Sequence, residues 1–211
     1  MELGLISKLH NATERKYTRG IKTRKGKAFA MRVARQYGYD YFDGERRFGY
    51  GGYVYDGRFK PLAKKLIKKY KLNKKSKVLD VGCGKGFLVY ELKQLGIDCI
   101  GIDSSEYAKD NSHDGIEILK KHNVKHNEFD LVICMGMLHS LSLNKLEDYI
   151  KTFSRASKHQ YITVDSYRNE QELVNLQTWA LTCEQFFTPE EWEFLFKEWG
   201  YDGDYDFLYF K

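Results

Sequence analysis

The chain has 211 residues, 42% of them hydrophobic and 30% charged, enough apolar content for one α/β domain with an added segment. No apolar run approaches the ~20 residues of a membrane span, and Met1-Glu2-Leu3-Gly4 opens no secretory leader, so a cytoplasmic protein is expected, with no membrane partner. The net charge of +6 is split unevenly: residues 1–75 carry 21 Lys/Arg against 6 Asp/Glu, the remainder 14 against 23. A basic first third suggests an anionic partner: nucleic acid, a phosphorylated or nucleotide-linked small molecule, or a membrane surface. Helix-face lysines such as Lys64, Lys65, Lys68, Lys69 and Lys71 read equally well as a solvated surface. Cys83, Cys99, Cys134 and Cys183 form no C-x-x-C pair and read as buried free thiols, so no metal site is expected.

Residues 1–38 predict two helical pieces, the stronger running from Lys27 to Tyr37. Residues 39–59 are neither an amphipathic helix nor an ordinary strand: aromatics alternate with Arg46, Arg47, Arg58 and five glycines. A loop this rich in Tyr and Arg reads as a binding surface, since both bring stacking faces and hydrogen-bond donors. The alternative is an aromatic arm packed over the domain edge. A helix follows from Pro61 to Tyr70, with proline in its first turn. The expected division is a basic helical arm with cap loop over 1–59 and a main domain over 60–211.

A strand is predicted at 77–81, ending in Asp80-Val81, and it runs into Gly82-Cys83-Gly84-Lys85-Gly86 before a helix at 87–95. The glycines permit positive φ and close ligand approach, and the helix start offers free N–H groups. A second strand at 98–102 leads to Asp103, where a nucleotide-binding α/β domain receives a ribose diol. Phe87 is too bulky for the third glycine position of a dinucleotide turn, and Lys85 is followed by Gly86 rather than the hydroxyl of a phosphate loop. Glu106 to Lys121 can form a helix, His122 to Glu128 is too polar and short for a strand, and Leu131 to Met135 forms the next strand.

With Val78-Leu79-Asp80, the glycine turn, Gly101-Ile102-Asp103 and Phe129-Asp130-Leu131-Val132-Ile133, the chain resembles the class I S-adenosylmethionine-dependent methyltransferases over about residues 60–211. The resemblance implies a doubly wound, Rossmann-like, mostly parallel sheet with an antiparallel last strand. It implies S-adenosylmethionine bound by Asp80, Gly82, Cys83, Gly84, Gly86, Asp103, Ser104 and Met135. The segment 104–129 is short for the family, which leaves Asn123 as the candidate for the adenine contact.

After the strand at 131–135 comes Gly136-Met137-Leu138-His139, without the Asn/Asp-Pro-Pro-aromatic box of base and amide nitrogen methylation. His139 reads as a general base or as a packed histidine. A helix at 144–156 and a strand at 160–165 lead to Asp165, Tyr167 and Arg168 at the carboxyl edge, where ligands gather. His139, Asp165 and Tyr167 are the catalytic candidates; Arg46, Arg47, Tyr50, Tyr53, Arg58 and Arg168 are the acceptor-binding ones. Thr188-Pro189-Glu190-Glu191 opens the last helix as a capping box, and 205–210 closes the sheet. The expected activity is methyl transfer to a small, anionic acceptor, by analogy a sugar or phosphorylated intermediate of surface-polysaccharide synthesis. An RNA methyltransferase gripping phosphates through its basic first third is the alternative. A non-catalytic cofactor-binding regulator is a third. Oligomeric state is not legible.

Overall fold

The computed structural model describes residues 1–11 and 15–211. Its elements in chain order are α1 (Ser7–Asn11), α2 (Arg24–Ala34), α3 (Tyr39–Phe42), α4 (Lys60–Tyr70), β1 (Lys77–Val81), α5 (Phe87–Gln94), β2 (Asp98–Ile102), α6 (Glu106–Asp110), β3 (Ile118–Leu119), β4 (Leu131–Met135), α7 (Leu143–Ala156), β5 (Gln160–Ser166), α8 (Glu170–Trp179), α9 (Pro189–Glu198) and β6 (Asp204–Tyr209). The strands form one sheet in the order β3-β2-β1-β4-β5-β6, every pairing parallel.

Period-two alternation builds the two layers. Val78, Leu131, Ile133 and Tyr161 pack on one face with Leu62 and Leu66 of α4 and Leu88 and Leu92 of α5. Leu79, Val132, Cys134, Ile162 and Val164 face the other way, onto Leu146, Ile150 and Phe153 of α7 and Trp192 and Phe196 of α9. Strands buried on both faces read as near-continuous apolar runs, which is how β4 reads in sequence. The Thr188 capping box forms as expected, its hydroxyl accepting from Glu191 N–H while the Glu191 carboxylate accepts from Thr188 N–H.

Two expectations are corrected. The last strand is parallel: Tyr161 pairs with Asp204 and Ser166 with Tyr209. The segment between β5 and β6 contains α8 and α9, so the chain crosses over and re-enters at the same sheet end instead of turning back as a hairpin. The helix expected over Glu106 to Lys121 stops at Asp110. Asn111-Ser112 and the turn at His113–Gly115 break it, and Ile118, buried, pairs with Gly101 on the edge of β2. Helix α8 went unread; Asn169 caps it by accepting from Glu172 N–H at 3.0 Å.

The N-terminal residues are built into the far sheet edge. Glu2 bridges Tyr205 in parallel, and Ile6 joins the core layer of β1. The buried Asp206 carboxylate of β6 accepts from the N–H of Leu3 (2.9 Å), Gly4 and Ile6 (3.1 Å) and from the Tyr161 hydroxyl (2.6 Å). Asp206→Ala strands all four donors, and hydrogen bonds to a charged group contribute about 1.5–3 kcal/mol each. Thermal unfolding of Asp206→Ala is expected to show a loss of about 3 kcal/mol or more, with accelerated amide exchange over residues 1–11.

Candidate active site

The turn after β1 is dictated by space. Gly82 has φ +74°, and a Cβ there would lie 2.9 Å from Cβ of Met137. Gly82 and Cys83 N–H both donate to the Ile102 carbonyl, at 2.8 and 3.1 Å, which ties the turn to the end of β2. The Asp103 carboxylate accepts from Gly84 N–H and from Ser105 N–H, each at 2.8 Å. Burial raises the Asp103 carboxyl, and these two N–H groups oppose that rise. Asp80 is 3% exposed and accepts no hydrogen bond from the described residues. Burial, followed by the charge of Asp103, pushes it up to about 7.

Residues 37–59 fold over this turn as an aromatic strap. Gly49 passes so close to Tyr41 that a Cβ would sit 1.9 Å from its carbonyl oxygen, and Tyr50 N–H donates to that oxygen at 2.8 Å. Tyr50 and Tyr53 rings lie 4.4 Å apart, and Tyr53 stacks on Phe87 at 4.6 Å, directly over Gly84. A clasp fixes the strap: the Asp43 carboxylate accepts from Lys85 Nζ (2.5 Å), Tyr107 hydroxyl (2.7 Å) and Tyr53 N–H (3.0 Å). Burial works against the Asp43 charge, yet the hydrogen bonds from Lys85 and Tyr107 hold its carboxyl below the usual value. Lys85, the lysine of the glycine turn, is therefore a strap anchor.

At the ends of β4 and β5, His139 and Asp165 form a buried unit. Asp165 N–H donates to His139 Nδ1 at 3.2 Å, so a neutral ring carries its proton on Nε2, 3.3 Å from Asp165 Oδ2. Both ring nitrogens are thus engaged by Asp165, and the carboxylate is the group left to take a proton. Burial raises the Asp165 carboxyl, opposed by the neighbouring His139, His10 and Arg15.

One cavity of about 670 Å³ joins these parts. Asp80, Gly82, Cys83, Gly84, Asp103, Ser104 and Met135 line it, as do His139 and Asp165, and from the strap Arg46, Tyr50, Tyr53 and Arg58. Five expected residues do not line it. Gly86 turns toward Ile116 and Ile118, and Asn123 is exposed in the loop after β3. Tyr167 packs in a satellite cluster around Leu176 and Phe210. Arg47 pairs with Glu45 and lies over Phe48, while Arg168 pairs with Glu172 and lies over Tyr209. Sequence reasoning missed Arg15, Arg19 and Trp179, which also line the cavity. They meet only because the chain before α2 folds back on the end of α8, and no local pattern signals that return. All four cysteines are buried and unpaired.

A family model described as a methyltransferase domain matches residues 55–205. No curated protein matches the chain in sequence. Among solved structures, the fold is similar to an S-adenosylmethionine-dependent methyltransferase from Archaeoglobus fulgidus (22% identity, 67% of this chain and 68% of that one, TM-score 0.51). It is also similar to the YcgJ protein of Bacillus subtilis (16% identity, 65% and 66%, TM-score 0.52). A Haloferax volcanii complex of the Trm112 methyltransferase activator with a methyltransferase gives a third match (18% identity, 65% and 66%, TM-score 0.52). The chain spans about two thirds of the length of these structures.

The clasp generates a test of its own. Asp43→Asn keeps the shape and removes the charge, and amide exchange over residues 39–59 is expected to quicken roughly tenfold, equivalent to losing about 1.4 kcal/mol of local stability. Unchanged exchange would assign the strap's order to ring stacking alone.

Proposed function

This chain belongs to the methyltransferase-domain family and uses S-adenosylmethionine, and we propose that it methylates a small, anionic acceptor enclosed in the cavity beneath the strap. The observation that carries this reading is that the glycine turn, the Asp165 carboxylate and the strap arginines open into one cavity. Small-molecule sites typically occupy about 300–1,000 Å³ and close around their ligand. Among the described residues no helix is long and apolar enough to cross a membrane.

The residues fit the cofactor. Among the described residues the buried Asp80 carboxylate has no hydrogen-bonding partner, and it lies beside a second carboxylate, so the pair suits a ligand that brings cationic charge. Asp80 would hold its ammonium group. Asp103, fixed by two backbone N–H groups, keeps lone pairs for the ribose hydroxyls. Gly82, Cys83 and Gly84 would let the backbone approach it, with Ser104 and Met135 alongside. When bound, S-adenosylmethionine supplies a methyl group already activated by its sulfonium.

The protein's share is then alignment of the acceptor with that methyl group and exclusion of water by the strap. For a hydroxyl acceptor, Asp165 takes the proton while His139 holds the carboxylate in place. Arg46 supplies positive charge on the acceptor side, whereas Arg58 lines the cavity with its guanidinium paired to Asp56. A sugar or phosphorylated metabolite suits this setting. Residues 1–59 act as a cap on a catalytic unit formed by 60–211. The RNA reading has weaker support, because Tyr53 stacks on Phe87 and Tyr50 on Phe42, leaving less face for bases.

Two measurements test these assignments. Transfer of tritiated methyl from S-adenosylmethionine into a cell extract is expected to label the small-molecule fraction; nuclease-sensitive label in the large fraction would overturn the reading. Arg46→Ala should cut that labelling while sparing cofactor affinity. Because Asp80 is neutral below about 7, S-adenosylhomocysteine affinity measured calorimetrically should rise with pH through that point. The limiting slope is about tenfold per unit, with a plateau above. Asp80→Asn should bind weakly and flatten the profile. A flat profile in the parent protein would remove Asp80 from the cofactor site.

A further inference from the structure

We infer that Arg19 and Arg46, together with Trp179 and Arg15, form an oxyanion subsite in the cavity wall, fitted to a phosphate monoester or carboxylate on the acceptor. The assignment rests on the reading that the acceptor enters this cavity, and it adds where its anionic group is held.

Three separated segments meet here: residues 15–19, the strap around 46–50, and the end of α8. The guanidinium carbon of Arg19 stands 3.6 Å from the Trp179 ring centroid, that of Arg46 4.8 Å and that of Arg15 5.8 Å. Backbone carbonyls grip one side of each guanidinium. Arg19 Nε donates to Trp179 O at 2.8 Å, and its Nη1 donates to Arg46 O and Gly49 O. Arg46 Nη1 donates to Gly49 O and Tyr50 O. These contacts leave Nη2 of Arg19, and Nε and Nη2 of Arg46, without a partner among the described residues. The Nε–Nη2 edge of Arg46 is what a planar carboxylate or a phosphate engages bidentately, and Nη2 of Arg19 adds a further donor.

Carbonyl oxygens orient the guanidinium groups but do not neutralise them. Among the described residues neither Arg19 nor Arg46 has a carboxylate within ion-pair distance. Burial and the neighbouring charge of Arg46 bring the Arg19 guanidinium down to about 10. Lys27, whose Nζ donates to Thr178 O and Ala180 O in the same wall, is held down to about 8 by burial and by Arg19. Like charges gathered out of water are unfavourable unless an opposite charge arrives. A bound oxyanion supplies it, and the Trp179 ring already offers its face to both Arg19 and Arg46.

The test uses inorganic phosphate and acetate as separate probes, titrated into the S-adenosylhomocysteine-loaded protein at constant ionic strength with chloride as control. Tryptophan fluorescence and calorimetry are both read. Saturable binding is expected, with Arg46→Gln raising the dissociation constant at least about tenfold and leaving S-adenosylhomocysteine affinity unchanged. Trp179→Phe should lose the fluorescence change and keep the heat of binding. Phosphate binding tighter than acetate identifies a phosphate monoester; the reverse order identifies a carboxylate. No saturation beyond chloride, or binding indifferent to Arg46→Gln, overturns the subsite and makes the arginines struts for the strap. Should Arg46→Gln fail to fold, Arg19→Lys, which keeps charge but loses the fork, is expected to weaken binding in the same direction, and an unchanged constant again overturns it. Anion binding is read without methyl transfer. Label in small molecules without phosphate or acetate binding sinks only the subsite, and Arg46-dependent binding with label in RNA sinks only the acceptor reading.

Discussion

The site is organised by two carboxylates that the parallel sheet forces together. Asp80 lies opposite Gly101 in the β1–β2 register, and Asp103 follows directly after β2, so the acids end neighbouring strands at the same edge. The residue opposite Asp80 is Gly101, which brings no side chain to pair the charge. The carboxyl of Asp80 rises toward neutrality, and that of Asp103 is kept in check by two N–H groups of the turn. The same turn carries Lys85 outward to Asp43, so the glycine segment shapes the acidic floor and anchors the roof.

That double use explains why the strap cannot be considered apart from the sheet. Asp43 collects Lys85, Tyr107 and Tyr53, three groups from three segments, on one carboxylate. Ser105 adds another tie by donating its hydroxyl to Tyr37 O at 2.6 Å while accepting from Ala108 N–H to cap α6. A shared acceptor makes these contacts cooperative, since losing one loosens the geometry of the rest. At the opposite sheet edge Asp206 does the same for the N-terminal residues. The basic first third of the chain is thus tied down through two acids, the half-buried Asp43 of the strap and the buried Asp206 of β6.

The parts legible in sequence were those with a local period or a fixed turn chemistry. β1, β2, β4, the glycine turn, Asp103 and the capping box at Thr188 each carry their signal within a few residues. The all-parallel sheet was not legible, because α8 reads weakly and the direction of β6 depends on the crossover it completes. The two-residue β3 has too little length for a period; its position follows from pairing with Gly101 and Ile102. Tyr167 and Arg168 lie one and two residues beyond β5, where the strand alternation has ended, and neighbours hold them elsewhere: Tyr167 joins the Leu176 and Phe210 cluster, and Arg168 pairs with Glu172. Arg15, Arg19 and Trp179 have no shared motif, only a shared destination.

On the proposed reading the cavity has poles of opposite sign, and this polarity bears on turnover. Asp80 and Asp103 face the cationic cofactor, and the arginine wall faces an anionic acceptor, so each ligand relieves a repulsion that the empty protein retains. Methyl transfer removes the sulfonium charge, which leaves the two acids with less cation to share. The burial and neighbouring charge that raise the Asp80 carboxyl to about 7 are then opposed by the ammonium group alone. A protonated Asp80 holds the ammonium group less strongly than a charged one, so the chemistry itself weakens the grip on the spent cofactor. Release still requires the strap to yield, and the strap is pinned by Lys85 of the same turn that the ligand leaves. On that reading the acid of the cofactor site, near the end of β1, and the lysine that closes the roof are five residues apart in sequence, which would couple the two events.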